Sequence, residues 1–175
     1  NVIVTGASRG IGYETVKAFC KKSVTNIIAT ARNGTKLDNL KKECEKTYPD
    51  VIIHSCIIDL SEKNIEKKIH TIIKKKLNSK VDIIVNNAGM LINKPFEKLT
   101  DNNWADVFEV NLFGIVRLIR AAIPFLGKQN RSHIVNISSM GGFQGSEKFA
   151  GLSAYSTSKG ALCTLTECLA KEFES

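Results

Sequence analysis

Disulfide signatures are missing from this 175-residue chain: its five cysteines (20, 44, 56, 163 and 168) form an odd set with no Cys-x-x-Cys pair. That fits a reduced, cytoplasmic protein better than a secreted, disulfide-stapled one. Cys163 and Cys168 read as small core residues of a helix ahead of reactive thiols. Long apolar runs are missing too. The longest, Gly114 to Leu126, is broken by Arg117 and Arg120, so no bilayer-spanning helix is expected. No signal-peptide pattern opens the chain, and no linker, repeat or low-complexity tract divides it. With 43% hydrophobic residues, one domain with a sizeable core over residues 1–175 is the expectation. No metal site is expected.

Acidic residues are outnumbered two to one by basic ones in the first half, which carries the whole net charge of +8. Residues 1–80 hold 16 Lys and Arg against 8 Asp and Glu, whereas residues 81–175 hold 9 of each. The excess sits mostly in Lys21-Lys22, Lys41-Lys42, Lys67-Lys68 and Lys74-Lys75-Lys76, on separate expected helices with little aromatic interleaving. A solvated lysine-rich face fits this better than a nucleic-acid surface. Such a surface can also help attract an anionic cofactor.

What is present is an alternation of short β-rich runs with amphipathic segments. Strands are expected at Val2–Thr5, Asn26–Ala31, Val51–Ile58, Val81–Asn86 and His133–Ile137. Helices are expected at about Gly10–Lys22, Thr35–Tyr48, from a Ser61 cap to about Leu77, Trp104 to about Leu126 with a bend near Asn111, and Ala154–Phe173. Alternation of this kind predicts an α/β fold with a doubly wound parallel sheet, a Rossmann fold. Strands such as Val81–Val85 are apolar on both faces, as buried parallel strands are.

The first strand runs into Thr5-Gly6-Ala7-Ser8-Arg9-Gly10-Ile11-Gly12, where a helix begins. Glycines at 6, 10 and 12 allow a tight turn and close backbone approach to a pyrophosphate, which the helix N-terminus then meets with free N–H groups. The spacing differs from the more common Gly-x-Gly-x-x-Gly, and an ordinary strand–helix turn is the plainer reading. An acidic residue ending the second strand would hold the adenosine ribose hydroxyls. Here Ala31-Arg32 stands instead, with Arg9 in the glycine loop, which favours NADP(H) over NAD(H) through bidentate grip on a 2′-phosphate. The plainer reading of Arg32 is an exposed loop charge.

Tyr155 and Lys159 stand four residues apart on an expected helix, so they share one face. An ammonium beside a phenol favours the phenolate and brings its pKa nearer neutrality, as proton transfer requires. Taken singly, each of these residues has a structural reading: Ser139 closing a strand, Asn111 a polar residue inside a helix, Asp59 beside Ser61 at a helix start.

Together, Thr5–Gly12, Asp59-Leu60, Asn86-Asn87-Ala88-Gly89, Asn111, Ile137-Ser138-Ser139 and Tyr155–Lys159 resemble the short-chain dehydrogenase/reductase family over nearly the whole chain. The resemblance implies an NADPH-dependent oxidoreductase reducing a small-molecule carbonyl to an alcohol. Tyr155 would be the catalytic acid or base, and Lys159 would tune it and hydrogen-bond the nicotinamide ribose. Ser139 would bind the substrate oxygen, and Asn111 would hold a water linking Lys159 to bulk solvent. Gly6, Ser8, Arg9, Gly10, Ile11, Gly12, Arg32, Asp59, Leu60, Asn87, Ala88 and Gly89 would bind the cofactor, with Asp59 on the adenine amino group.

The interval from Ser139 to Tyr155 is longer than the family usually has, which suggests an extended loop over the substrate. Family members continue past this helix with further strands, so the expectation is a chain incomplete at its C-terminus. The family also pairs two helices across a two-fold axis, implying a homodimer or homotetramer. Leu118, Ile119, Ala122, Leu162, Leu165 and Leu169 are the candidates for exposed or inter-subunit positions. Alternative readings are a catalytically silent dinucleotide-binding sensor or scaffold of the same fold, and a nucleic-acid binder.

Overall fold

The computed structural model describes residues 1–22, 24–127 and 132–174. Five strands, β1 (Val2–Thr5), β2 (Asn26–Ala31), β3 (Ile52–Ile57), β4 (Ile83–Asn86) and β5 (His133–Asn136), form one sheet in the order β3-β2-β1-β4-β5. Every pairing is parallel, with Val2 opposite Ile27 on one side and Ile83 on the other. The expected doubly wound sheet is what the chain builds. β1 lies at its centre and is buried throughout, which is why all four of its side chains can be apolar or hydrogen-bonded threonine.

Alternation along the strands divides the core in two. Val2, Val4, Ile27, Ala29 and Ile53 face Val16 and Cys20 of α1 (Gly10–Lys21) and Leu37, Leu40 and Cys44 of α2 (Gly34–Thr47). Ile3, Ile28 and Ile84 face the other way, toward α3 (Ile65–Lys76) and α5 (Gly114–Ala122). On α3 the polar residues are mostly lysine, so the helix is held by its stripe of Ile65, Ile69 and Ile73. Burial of each contributes about 1.5–3 kcal/mol. The last helix, α6 (Ser153–Glu172), packs Leu162 against Ile115 and Ile119 of α5.

Several expectations are corrected. Ser61 does not cap α3, which begins at Ile65; its N–H and hydroxyl both donate to Asp59 Oδ1 instead. The expected single helix from Trp104 is interrupted. α4 (Asp101–Phe108), capped by Thr100 and Asn103, gives way to one π turn over Glu109–Phe113 before α5 starts. Arg117 crosses that turn, donating to Glu109 and to the Leu60 carbonyl. Gly114 permits the close approach, since a Cβ there would lie 2.5 Å from the Leu60 oxygen. Val81 makes only an isolated bridge to Leu126 ahead of β4. Leu118, Ile119, Ala122 and Leu162 are buried core residues, whereas Leu165 and Leu169 pack against that core and are only partly buried.

Candidate active site

The sheet order reverses between β1 and β4, and a crevice opens there beyond the carboxyl ends of the strands. β1 delivers Gly6 in the left-handed region (φ 67°), a conformation that a side chain would strain. A Cβ on Gly12 would lie 2.5 Å from both the Gly6 carbonyl oxygen and Asn87 Nδ2, so α1 touches the turn it follows. Asn87 Nδ2 donates to the Thr5 and Gly6 carbonyls, and Thr5 Oγ1 accepts from the Asn87 and Ala88 N–H groups. One buried threonine thus ties the ends of β1 and β4 together.

A cleft of about 830 Å³ lies over this junction. Of the residues expected at the cofactor, Gly6, Ser8, Arg9, Gly10, Ile11, Arg32, Asp59, Leu60, Asn87, Ala88 and Gly89 line it. Gly12 does not; it is buried behind the turn. Sequence reasoning missed Asn33, Lys36, Met90 and Val110, which also line it. For Lys36 a signal existed, since it stands four residues beyond Arg32, at the start of α2. Partial burial works against the charged form of Asp59, but its two bonds from Ser61 and the nearby Arg32 outweigh this and hold the carboxyl below its usual range.

The second group lies past the Gly89 end of the cleft. A Cβ on Gly89 would sit 3.5 Å from Asn111 Oδ1 and 3.6 Å from Lys159 Nζ, so both side chains converge there. Lys159 is buried, its Nζ donates to the Ile137 carbonyl at 2.7 Å, and burial pushes its pKa down. Its Nζ lies 5.9 Å from the centre of the Tyr155 ring, on the same face of α6. Asn111, in the π turn, donates to the Met90 carbonyl and to Ser158 Oγ, both at 2.9 Å. Its Oδ1 accepts the Met90 N–H at 2.7 Å. Its amide hydrogens are therefore committed to protein groups, leaving one Oδ1 lone pair free. Ser158, which sequence reasoning missed, is fully buried and links Asn111 to the Tyr155 carbonyl.

The two adjacent serines separate in function of place. Ser138 Oγ donates to the Lys159 carbonyl and accepts from the Cys163 thiol. Ser139 Oγ accepts only a 3.3 Å bond from the Gly141 N–H among the described residues. Gly141 and Gly142 press this turn onto α6, since a Cβ at each would lie 2.6 Å from Ser156 Oγ and from the Lys159 main chain respectively.

The family model for the short chain dehydrogenase matches residues 1–175. The chain belongs to the short-chain dehydrogenase family. It is 34% identical over 171 residues to the 3-oxoacyl-[acyl-carrier-protein] reductase FabG of Aquifex aeolicus, covering 97% of this chain and 66% of that one. It is 30% identical over 175 residues to the NADP-dependent 3-hydroxy acid dehydrogenase of Schizosaccharomyces pombe, covering 98% and 64%. The crystal structure of a short-chain dehydrogenase from Streptomyces avermitilis superposes with a TM-score of 0.84 at 37% identity, over 98% of this chain and 59% of that one. The chain thus spans about two thirds of the length of these curated relatives. Among the described residues of this short-chain dehydrogenase, no helix is long and apolar enough to cross a membrane.

Proposed function

We propose that this chain carries the cofactor cleft and catalytic groups of an NADPH-dependent reductase that converts a small-molecule carbonyl to an alcohol. The observation that carries the reading is the convergence of Lys159 Nζ and Asn111 Oδ1 on Gly89, which joins the cleft to the helix face bearing Tyr155. When bound, NADP(H) supplies or accepts a hydride at the nicotinamide ring. Gly6, Gly10 and the start of α1 fit the pyrophosphate, and Arg9 and Arg32 fit a 2′-phosphate. The NADP-dependent relative supports that choice over NAD(H).

Tyr155 holds the proton that goes to the carbonyl oxygen in reduction and takes it back in oxidation. Ser139, whose hydroxyl is not otherwise donated, hydrogen-bonds the same oxygen as charge develops on it. Lys159 spends one of its three donors on Ile137, leaving two for the ribose hydroxyls and a water. The Asn111 lone pair facing Gly89 can hold that water. Asp59 keeps one carboxylate oxygen free for an adenine amino group. The five free thiols suit a reducing, cytoplasmic setting. A homodimer or homotetramer completes the reading, with Phe113, 47% exposed on the π turn, as a surface residue available to it.

The test is NADPH oxidation by the intact protein across a diverse carbonyl panel, with NADH in parallel. Turnover that Tyr155→Phe lowers by about 10²–10⁴ with NADPH affinity retained supports the reading. Tight NADPH binding without oxidation of any substrate sinks it and favours a silent sensor or scaffold.

A further inference from the structure

Three cations line the cleft, and only two of them stand out in the sequence. Arg9 precedes α1, Arg32 follows β2, and Lys36 lies in the first turn of α2. Asn33 sets the position of the third: its side chain accepts the Lys36 N–H at 3.0 Å, closing the helix start. Gly34 lets that turn close on β3, because a Cβ there would lie 2.7 Å from Ile57 Cδ1. The backbone of Lys36 is therefore anchored, and side chains on a helix tilt toward its N-terminus, here toward the cleft. Among the described residues no carboxylate pairs with Arg9, Arg32 or Lys36, although seven other side-chain ion pairs form. Asp59 is the one carboxylate on the cleft wall, and its Oδ1 is occupied by Ser61.

Three cations lining one cleft, none paired with a carboxylate among the described residues, suit a compact dianion better than a neutral ribose. We propose that Lys36 is a specificity-determining residue, the third cation of a 2′-phosphate subsite and a determinant of NADP(H) over NAD(H). This rests on the cofactor reading above. Arg32 and Arg9 grip the phosphate through planar forks, whereas Lys36 contributes a point charge on a short, anchored turn. Asn33 then acts as a positioning residue by fixing where that charge begins.

Calorimetric titration of the intact protein with 2′,5′-ADP, ADP and inorganic phosphate tests this without any turnover. The expected result is tighter binding of 2′,5′-ADP than ADP by the wild type. Lys36→Ala should weaken 2′,5′-ADP by about tenfold while leaving ADP within about twofold. Lys36→Arg should recover most of the loss. Because Lys36 is exposed, an unchanged melting temperature in both variants confirms that the fold is intact. A wild type that prefers 2′,5′-ADP, with Lys36→Ala weakening both nucleotides equally or neither, overturns the role of Lys36 and leaves the cofactor reading standing. A wild type that binds ADP as tightly as 2′,5′-ADP overturns both. Inorganic phosphate competing as well as 2′,5′-ADP would mark a general anion site and likewise overturn the assignment.

Discussion

Asn111 Nδ2 donates to Ser158 Oγ at 2.9 Å, and that buried bond fastens the π turn between α4 and α5 to the helix that carries Tyr155 and Lys159. The same amide clamps both main-chain groups of Met90, next to the cleft residue Gly89. A helix that continued in α register would carry this side chain elsewhere.

Asn111→Ala should therefore cost about 2–3 kcal/mol of stability, since it removes three bonds and leaves Met90 and Ser158 groups unpaired. Asn111→Asp should not rescue it, because a carboxylate cannot donate to the Met90 carbonyl. Denaturant unfolding of the three proteins checks the order, and a wild-type-like midpoint for Asn111→Asp would contradict it.

The glycine loop makes a contrast between two positions. Gly12→Ala places a methyl against the Gly6 carbonyl and Asn87, and should destabilise by about 2 kcal/mol or more while weakening nucleotide binding. Gly10→Ala meets open space and should cost only about 1 kcal/mol for its left-handed backbone (φ 59°). Melting temperatures in that order support the geometry; the reverse order refutes it.

Burial holds the Lys159 pKa below its ordinary value, so the folded state binds fewer protons than the unfolded one in the window between the depressed value and about 10.4. Stability contributed at this position therefore rises with pH through that window. Relative to Lys159→Met, wild type should gain stability as pH increases from neutrality toward 10. Parallel unfolding curves with a constant difference between the two proteins would be the contrary outcome.

Thiol reactivity should divide by burial. The Cys44 thiol is pushed up to about 12 by burial with Cys20 beside it, and burial raises Cys20 as well. Cys168 is exposed. An aromatic disulfide reagent at pH 8 should label Cys168 in the native protein and reach Cys20 and Cys44 only in denaturant, as mass mapping would show. Native labelling of Cys44 would show that α1 and α2 separate readily.

Much of this was legible along the chain. Apolar runs bounded by glycine and polar residues marked all five strands, and Gly6, Arg32, Asp59 and Asn87 line one cleft. The misreadings have separate physical causes. Ser61 reads as a cap by residue type at the expected helix start, but its hydroxyl bonds backward to Asp59. Leu118, Ile119 and Leu162 read as surplus to one sheet face, whereas Leu118 packs with α3 beneath the sheet and Ile119 of α5 packs with Leu162 of α6.

The alternation of strands and helices along the chain, the glycine turn and the Tyr155–Lys159 spacing follow from local periodicity and residue type, and the sequence by itself determined them. Only the folded chain decided that residues 22 apart (Lys159 and Ile137), 47 apart (Asn111 and Ser158) and 82 apart (Asn87 and Thr5) would bond. It also decided that Lys36 would line the same cleft as Arg9 and Arg32. Such contacts depend on how helices settle on a twisted sheet, and no period within one element encodes that placement.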